Sequence, residues 1–132
     1  MDAEKAAKKA RTETQKKRRL IVERMKALGL YKAQYGAAID RLAEMYAQMD
    51  DIKAQYGEDG SRPVVEHTNK AGAANLQMNP YLQALLQIHT QALAHERELG
   101  LTPAALRKLT DSVGEKPKKS ALEMALEKLG GG

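Results

Sequence analysis

The sequence contains no cysteine, no phenylalanine and no tryptophan, so tyrosine is its only large aromatic residue. The lack of cysteine excludes disulfide bonds and thiolate metal sites, and it is typical of proteins kept in a reducing compartment. No apolar run approaches the ~18 residues that span a bilayer. Because a chain of 132 residues with so few bulky groups buries little apolar surface, we expect it to associate with copies of itself.

Sequence signatures of enzymes are also missing. The chain has no glycine-rich phosphate-binding loop, no nucleophile elbow and no H-E-x-x-H motif. His89 and His95 point in different directions on a helix, and His67 has no evident partner. The acidic pairs Asp50-Asp51 and Glu58-Asp59 lack the residue order of a calcium-binding loop. We therefore predict a non-catalytic protein that needs no metal or other cofactor.

What the sequence does have is a strong concentration of positive charge at one end. Residues 1–26 hold ten Lys or Arg against four acids, while the rest of the chain is nearly balanced. Charge density of this kind is what contacts with DNA phosphates require, although a solvated basic tail is the simpler alternative. We predict that residues 1–28 form a basic, marginally stable helical arm. The candidate DNA-contacting residues are Lys16, Lys17, Arg18, Arg19 and Arg24.

The most regular pattern in the sequence is a row of apolar residues at alternating intervals of four and three. Such a 3.5-residue repeat predicts a long helix that lies lengthwise against another helix. Gly57 and the following Glu-Asp-Gly-Ser-Arg-Pro segment mark its end. The residues of this seam are Tyr31, Tyr35, Ala38, Leu42, Met45, Met49, Ile52 and Tyr56.

A second long helix is predicted to start at Asn79-Pro80, with Asn as the N-cap and Pro in the first turn. One of its apolar stripes, which runs from Tyr81 to Leu99, can face the seam in an antiparallel hairpin. Residues 61–78 between the two helices lose helical periodicity and favour a small β-hairpin or an irregular insert. A second stripe is left over, and we predict that it contacts another subunit through Leu82, Leu86 and Leu93.

The C-terminal part of the chain is predicted to contain two short helices. Gly100 ends the second long helix, and Thr102-Pro103 starts the first of them. A Gly- and Pro-containing linker then leads to Ser120-Ala-Leu-Glu123, which is a capping box. The last helix is amphipathic and suited to docking on a partner protein through Leu122, Leu126 and Leu129.

The predicted fold is therefore all-α, with a long antiparallel helical hairpin, the small insert and short C-terminal helices. We divide the chain into a basic N-terminal arm (1–28), a helical-hairpin oligomerisation core (29–110) and a tethered C-terminal helix (111–132).

This order of elements over residues 28–110 resembles the terminase small subunits of tailed phages. The similarity is carried by the Asn-Pro-Tyr helix start at residue 79, by Glu-Leu-Gly-Leu-Thr-Pro about twenty residues later, and by Arg107. It implies a non-catalytic subunit that forms a ring and binds double-stranded viral DNA in the host cytoplasm, with no membrane partner. It also implies delivery of that DNA to a large terminase subunit, which holds the ATPase and nuclease.

Two other classes of function remain open from the sequence. A basic helical DNA-binding regulator or nucleoid-type protein would share the arm and the hairpin, although the long seam argues against a compact helix-turn-helix. A structural coiled-coil adaptor would explain both apolar stripes and leave the basic arm incidental. A ring has one closed stoichiometry above a dimer, so measurement of particle mass separates these classes.

Overall fold

The computed structural model describes residues 2–115, so the predicted C-terminal helix with Leu122, Leu126 and Leu129 lies outside the described residues. Within that range the chain is mostly helical with one small sheet, as predicted. No helix of this part of the chain is long and apolar enough to cross a membrane. The elements are α1 (Ala3–Ala27), a 3-10 turn (Ala33–Tyr35), α2 (Gly36–Glu58), β1 (Val64–Thr68), β2 (Ala74–Met78), α3 (Pro80–Glu98) and α4 (Pro103–Glu115).

Helices α2 and α3 pack against each other along the predicted seam, in antiparallel directions. Leu42 and Met49 of α2 and Ile88 and Ala92 of α3 are buried in their interface. The structure differs from the prediction at the start of α2, because the backbone at Lys32 is extended and a 3-10 turn precedes the α-helix. The first two tyrosines of the seam therefore reach the core from outside the α-helix.

Helix α1 lies along the other side of α2, so that α2 is the central helix of three. Ile21 and Met25 of α1 are buried, and they join a core that also contains Ile39 and Ala43 of α2. The first ten residues of α1 are all exposed. The basic helix is thus anchored through its C-terminal half by a small number of apolar side chains.

Helices α1 and α3 end in the same tripeptide, Leu28-Gly29-Leu30 and Leu99-Gly100-Leu101. In each, the glycine has positive φ (72° and 74°). The amide of the following leucine bonds 2.8 Å back to the carbonyl five residues earlier, which is a Schellman cap. The two caps meet, since a Cβ added to Gly100 would lie 3.1 Å from Leu30 Cδ1. Matching helix ends therefore close one end of the bundle.

The insert forms the predicted β-hairpin, in which Val64 pairs with Met78 and Thr68 with Ala74. Asn69 shapes its turn by accepting hydrogen bonds from the amides of two following residues. Nearly every residue of the hairpin is exposed, including Leu76 at 78 %. Because paired residues share a face and alternate residues lie on the same side, Val64, Leu76 and Met78 lie on one uncovered, largely apolar face, which also carries Glu66 opposite Leu76.

Asn79 joins the end of α2 to the start of α3 and is completely buried. Its side-chain oxygen accepts from the Tyr81 amide at 2.9 Å, which confirms the predicted N-cap. Its side-chain nitrogen donates to Asp59 Oδ2 at 2.7 Å and to the Arg62 carbonyl at 2.9 Å. All the polar atoms of this amide are thus satisfied, as a buried amide requires.

Candidate nucleic-acid interface

Helices α1 and α2 carry opposite net charge. Over Ala3–Ala27 there are ten Lys or Arg and three Glu, whereas over Gly36–Glu58 there are five acids and two bases. Part of the positive charge of α1 is therefore directed at a neighbouring helix, and the remainder is available to solvent.

Two of the predicted DNA-contacting residues form ion pairs with α2. Lys17 Nζ lies 2.6 Å from Asp50 Oδ2, and Arg18 Nε lies 2.6 Å from Asp40 Oδ1. These pairs are partly exposed, so each contributes little to stability. Their geometry nevertheless fixes how α1 is rotated against α2. The two aspartates were not predicted as partners.

A third predicted residue, Arg24, forms a hydrogen bond where three helices meet. Its guanidinium donates to the Leu101 carbonyl at 2.9 Å, which ties α1 to the link between α3 and α4. Nearby, the Tyr46 hydroxyl donates to Glu96 Oε1 at 2.6 Å and ties α2 to α3. Burial raises the pKa of Tyr46 above its ordinary value, and the adjacent Glu96 carboxylate acts in the same direction.

The other two predicted residues, Lys16 and Arg19, are exposed. Lys16 makes a 3.4 Å contact with Glu13 on the same helix, and Arg19 has no ion-pair partner among residues 2–115. The structure thus divides the five predicted residues into two that project into solvent and three that contact the rest of the chain. Their contact with DNA stays a prediction.

The left-over stripe of α3 is a second candidate contact surface. Leu86 is 50 % and Leu93 39 % exposed, while Leu82 is half-buried. The helix that packs against α3 therefore leaves this stripe largely uncovered, as the sequence analysis expected. Its role as a subunit interface remains a prediction.

An open groove of about 610 Å³ runs between the first half of α1 and the middle of α2. Its walls combine small side chains such as Ala10 and Ala47 with Lys9, Glu44 and Asp51. Among residues 2–115 no three or more His, Asp or Glu side chains come together in a way that could hold a metal ion.

The family model for "Phage terminase, small subunit" matches residues 14–116 of this chain. The match covers the anchored part of α1, the α2–α3 pair, the β-hairpin and α4, and it begins after the first lysines of α1. No curated protein and no solved structure matches the chain. Because the match extends over most of the sequence, the chain belongs to the family of phage terminase small subunits, which gives it a role in the packaging of phage DNA.

Proposed function

We propose that this chain is a non-catalytic terminase subunit that binds double-stranded viral DNA as a homo-oligomer. It acts in the host cytoplasm and delivers the DNA to the large terminase subunit, which it also regulates. The observation that carries this proposal is the basic charge of α1, which is exposed along a helix anchored to the rest of the chain.

The DNA contact of this proposal is electrostatic. Lysine and arginine on α1 neutralise phosphates and release counterions, which gives affinity with little preference for sequence. The predicted set is Lys16, Lys17, Arg18, Arg19 and Arg24. A single α1 binds weakly, and several copies in one assembly multiply the contact through a high effective concentration.

Self-association is assigned to the left-over stripe of α3. Leu86 and Leu93 are large apolar side chains that one helix leaves exposed, and with Leu82 they extend over three helical turns. A subunit that buries them against a neighbouring copy removes their apolar surface from water. We propose that this contact closes into a ring.

Contact with the large subunit is assigned to the C-terminal segment. The sequence there has a capping box, Ser120-Ala-Leu-Glu123, and places Leu122, Leu126 and Leu129 at the spacing of one helix face. The tether before it contains Gly114 and Pro117. This part of the proposal rests on sequence alone.

The proposal is tested by measuring particle mass and duplex binding on the full chain and on two matched variants. Leu86→Glu with Leu93→Glu places charge on the stripe, whereas Gln87→Glu with Gln91→Glu adds the same charge to exposed positions outside it. We expect the leucine variant to lose mass and duplex affinity together, by about tenfold or more in affinity. The glutamine variant should keep its native mass.

Two results would contradict the proposal. If the leucine variant keeps its native mass, the stripe is not the subunit interface. If the unmodified chain does not bind duplex DNA at low salt, DNA binding is not part of its function.

A further inference from the structure

We propose that the duplex lies against the outward face of α1, which comprises Lys5, Lys8, Lys9, Lys16 and Arg19. Lys17 and Arg18, in contrast, are positioning residues that hold α1 against α2. This inference rests on the proposed DNA-binding function and narrows the part of α1 that carries it. It adds three lysines near the start of the helix and leaves Lys17, Arg18 and Arg24 out of the contact.

The direction of each side chain follows from helix geometry. Ile21 and Met25 are buried, and they mark the direction in which α1 faces α2. At 100° per residue, the five residues of the outward face fall within a sector of about 100° on the opposite side. Every one of them is exposed, and Lys9, at the edge of the sector, also lines the groove between α1 and α2. The helix therefore presents a row of basic side chains on the side away from α2.

Lys17 and Arg18 are directed elsewhere by their partners. Each lies 2.6 Å from an aspartate of α2, and each is less exposed than Lys16 and Arg19, which flank the pair. A cation held closely by a carboxylate must lose that partner before it can neutralise a phosphate, so it adds less to counterion release. The contact of Lys16 with Glu13 is longer, at 3.4 Å, and lies on the same helix. Their contacts with Asp40 and Asp50 instead determine which face of α1 points outward.

The dimensions of the outward face suit a linear polyanion. From Lys5 to Arg19 the helix rises by about 21 Å. One strand of a duplex advances 3.4 Å per base pair, so this length corresponds to roughly six base pairs. A row of like charges along one line matches a phosphate backbone better than the mixed surface of a typical protein partner. The contact that we propose is with phosphates, which carry no sequence information, so we expect little sequence preference from this face.

The test compares two double variants at adjacent positions that remove the same charge. Lys16→Gln with Arg19→Gln changes the outward face, and Lys17→Gln with Arg18→Gln changes the positioning pair. Fluorescence anisotropy on a labelled 25-base-pair duplex gives the affinity of the full chain over a series of salt concentrations. We expect the outward variant to flatten the slope of log affinity against log salt by about 1.8, because two phosphate contacts are lost. The positioning variant should leave the slope unchanged and lower the melting temperature, measured by circular dichroism, by a few degrees at most, because partly exposed ion pairs contribute little to stability.

A third variant combines Lys5→Gln, Lys8→Gln and Lys9→Gln. Because these residues lie far from the buried side chains of α1, a loss of affinity in this variant is not the result of a folding defect. It should flatten the slope by about 2.7 and leave the melting temperature unchanged. If the positioning variant flattens the slope as much as the outward one at unchanged helix content, the assignment of faces is overturned.

Two further outcomes separate this inference from the proposed function. If the unmodified chain binds the duplex and none of the three variants changes the slope, DNA lies on another surface; the inference then fails and the proposed function stands. If outward variants keep duplex affinity but lose binding to the large subunit, the face is a protein contact and the inference is again overturned. If the unmodified chain does not bind duplex at all, the proposed function fails as well.

Discussion

The two ends of the α2–α3 pair are built in opposite ways. At one end the paired Leu-Gly-Leu caps meet, Leu99 and Leu101 are buried, and Arg24 bonds to a backbone carbonyl. At the other end the chain leaves α2, forms a hairpin whose residues are nearly all exposed, and enters α3 through one buried asparagine. One end holds four helices together, and the other projects apolar side chains into solvent.

This difference separates the end of the bundle whose apolar residues are covered within one chain from the end that leaves apolar side chains exposed. At the capped end Gly100 leaves no room for an added Cβ, as expected of a region that folds within one subunit. The hairpin end depends on the hydrogen bonds of one amide, and two isolated strands are at best marginally stable in water. Surface for contacts with other molecules is therefore concentrated away from the caps.

The largest expected effect is at the capped end. Gly100→Ala should lower the free energy of unfolding by about 2–5 kcal/mol, because a Cβ costs energy at positive φ and also meets crowded side chains. That Cβ would lie 2.5 Å from Leu109 Cδ1 and 3.1 Å from Leu30 Cδ1. Urea denaturation followed by circular dichroism measures the change.

Gly29→Ala is the matched control for this substitution. Gly29 has nearly the same φ, but no atom lies within 4 Å of the added Cβ. We therefore expect only the conformational cost of about 1–2 kcal/mol. Equal losses for the two variants would show that contact between the caps contributes nothing to stability.

An intermediate effect is expected at the buried amide of Asn79, which follows the hairpin and caps α3. Asn79→Asp replaces the donor that lies 2.7 Å from Asp59 with a second carboxylate. The free energy of unfolding should fall by about 1–3 kcal/mol, since a buried hydrogen bond is lost and like charges meet. Adding Asp59→Asn to this variant restores a donor and should recover part of the loss in a double-mutant cycle. Strict additivity of the two substitutions would contradict the proposed link between α2 and α3.

The smallest effect is expected within the hairpin. Leu76→Ser removes an apolar side chain that is 78 % exposed, so it should change the stability of the isolated chain by less than about 0.5 kcal/mol. Gln77→Ser, on the opposite face of the same strand, is the control. If Leu76→Ser alone lowers the denaturation midpoint clearly, or reduces particle mass, then the apolar face of the hairpin is covered in solution.

Much of the fold could be predicted because the signals are local. The seam of α2, the Asn79 cap and the end of α3 at Gly100 are all encoded by residues within a few positions of one another. The docking of α1 was not predicted. Only Ile21 and Met25 on this helix are buried, and a pattern that short resembles a solvated helix with a few apolar residues.

The candidate site was predictable as a group of charges but not in its arrangement. The concentration of Lys and Arg is a property of composition, whereas its division into two faces depends on partners more than twenty positions away. A signal for that division was present in α2. Asp40, Ala43, Ala47 and Asp50 recur at intervals of three and four, which is a second stripe of small and acidic residues suited to a basic helix. The bond between Tyr46 and Glu96 had no comparable signal.

The order of elements also has a consequence for the way the chain reaches its native state. The main packing contacts join consecutive elements, α1 with α2, α2 with α3, and α3 with α4. Proteins dominated by contacts between sequence neighbours have low contact order and fold fast. During synthesis α1 can pair with α2 before α3 leaves the ribosome. The bond from Arg24 to Leu101 spans 77 positions, so we expect it and the adjoining caps to form last.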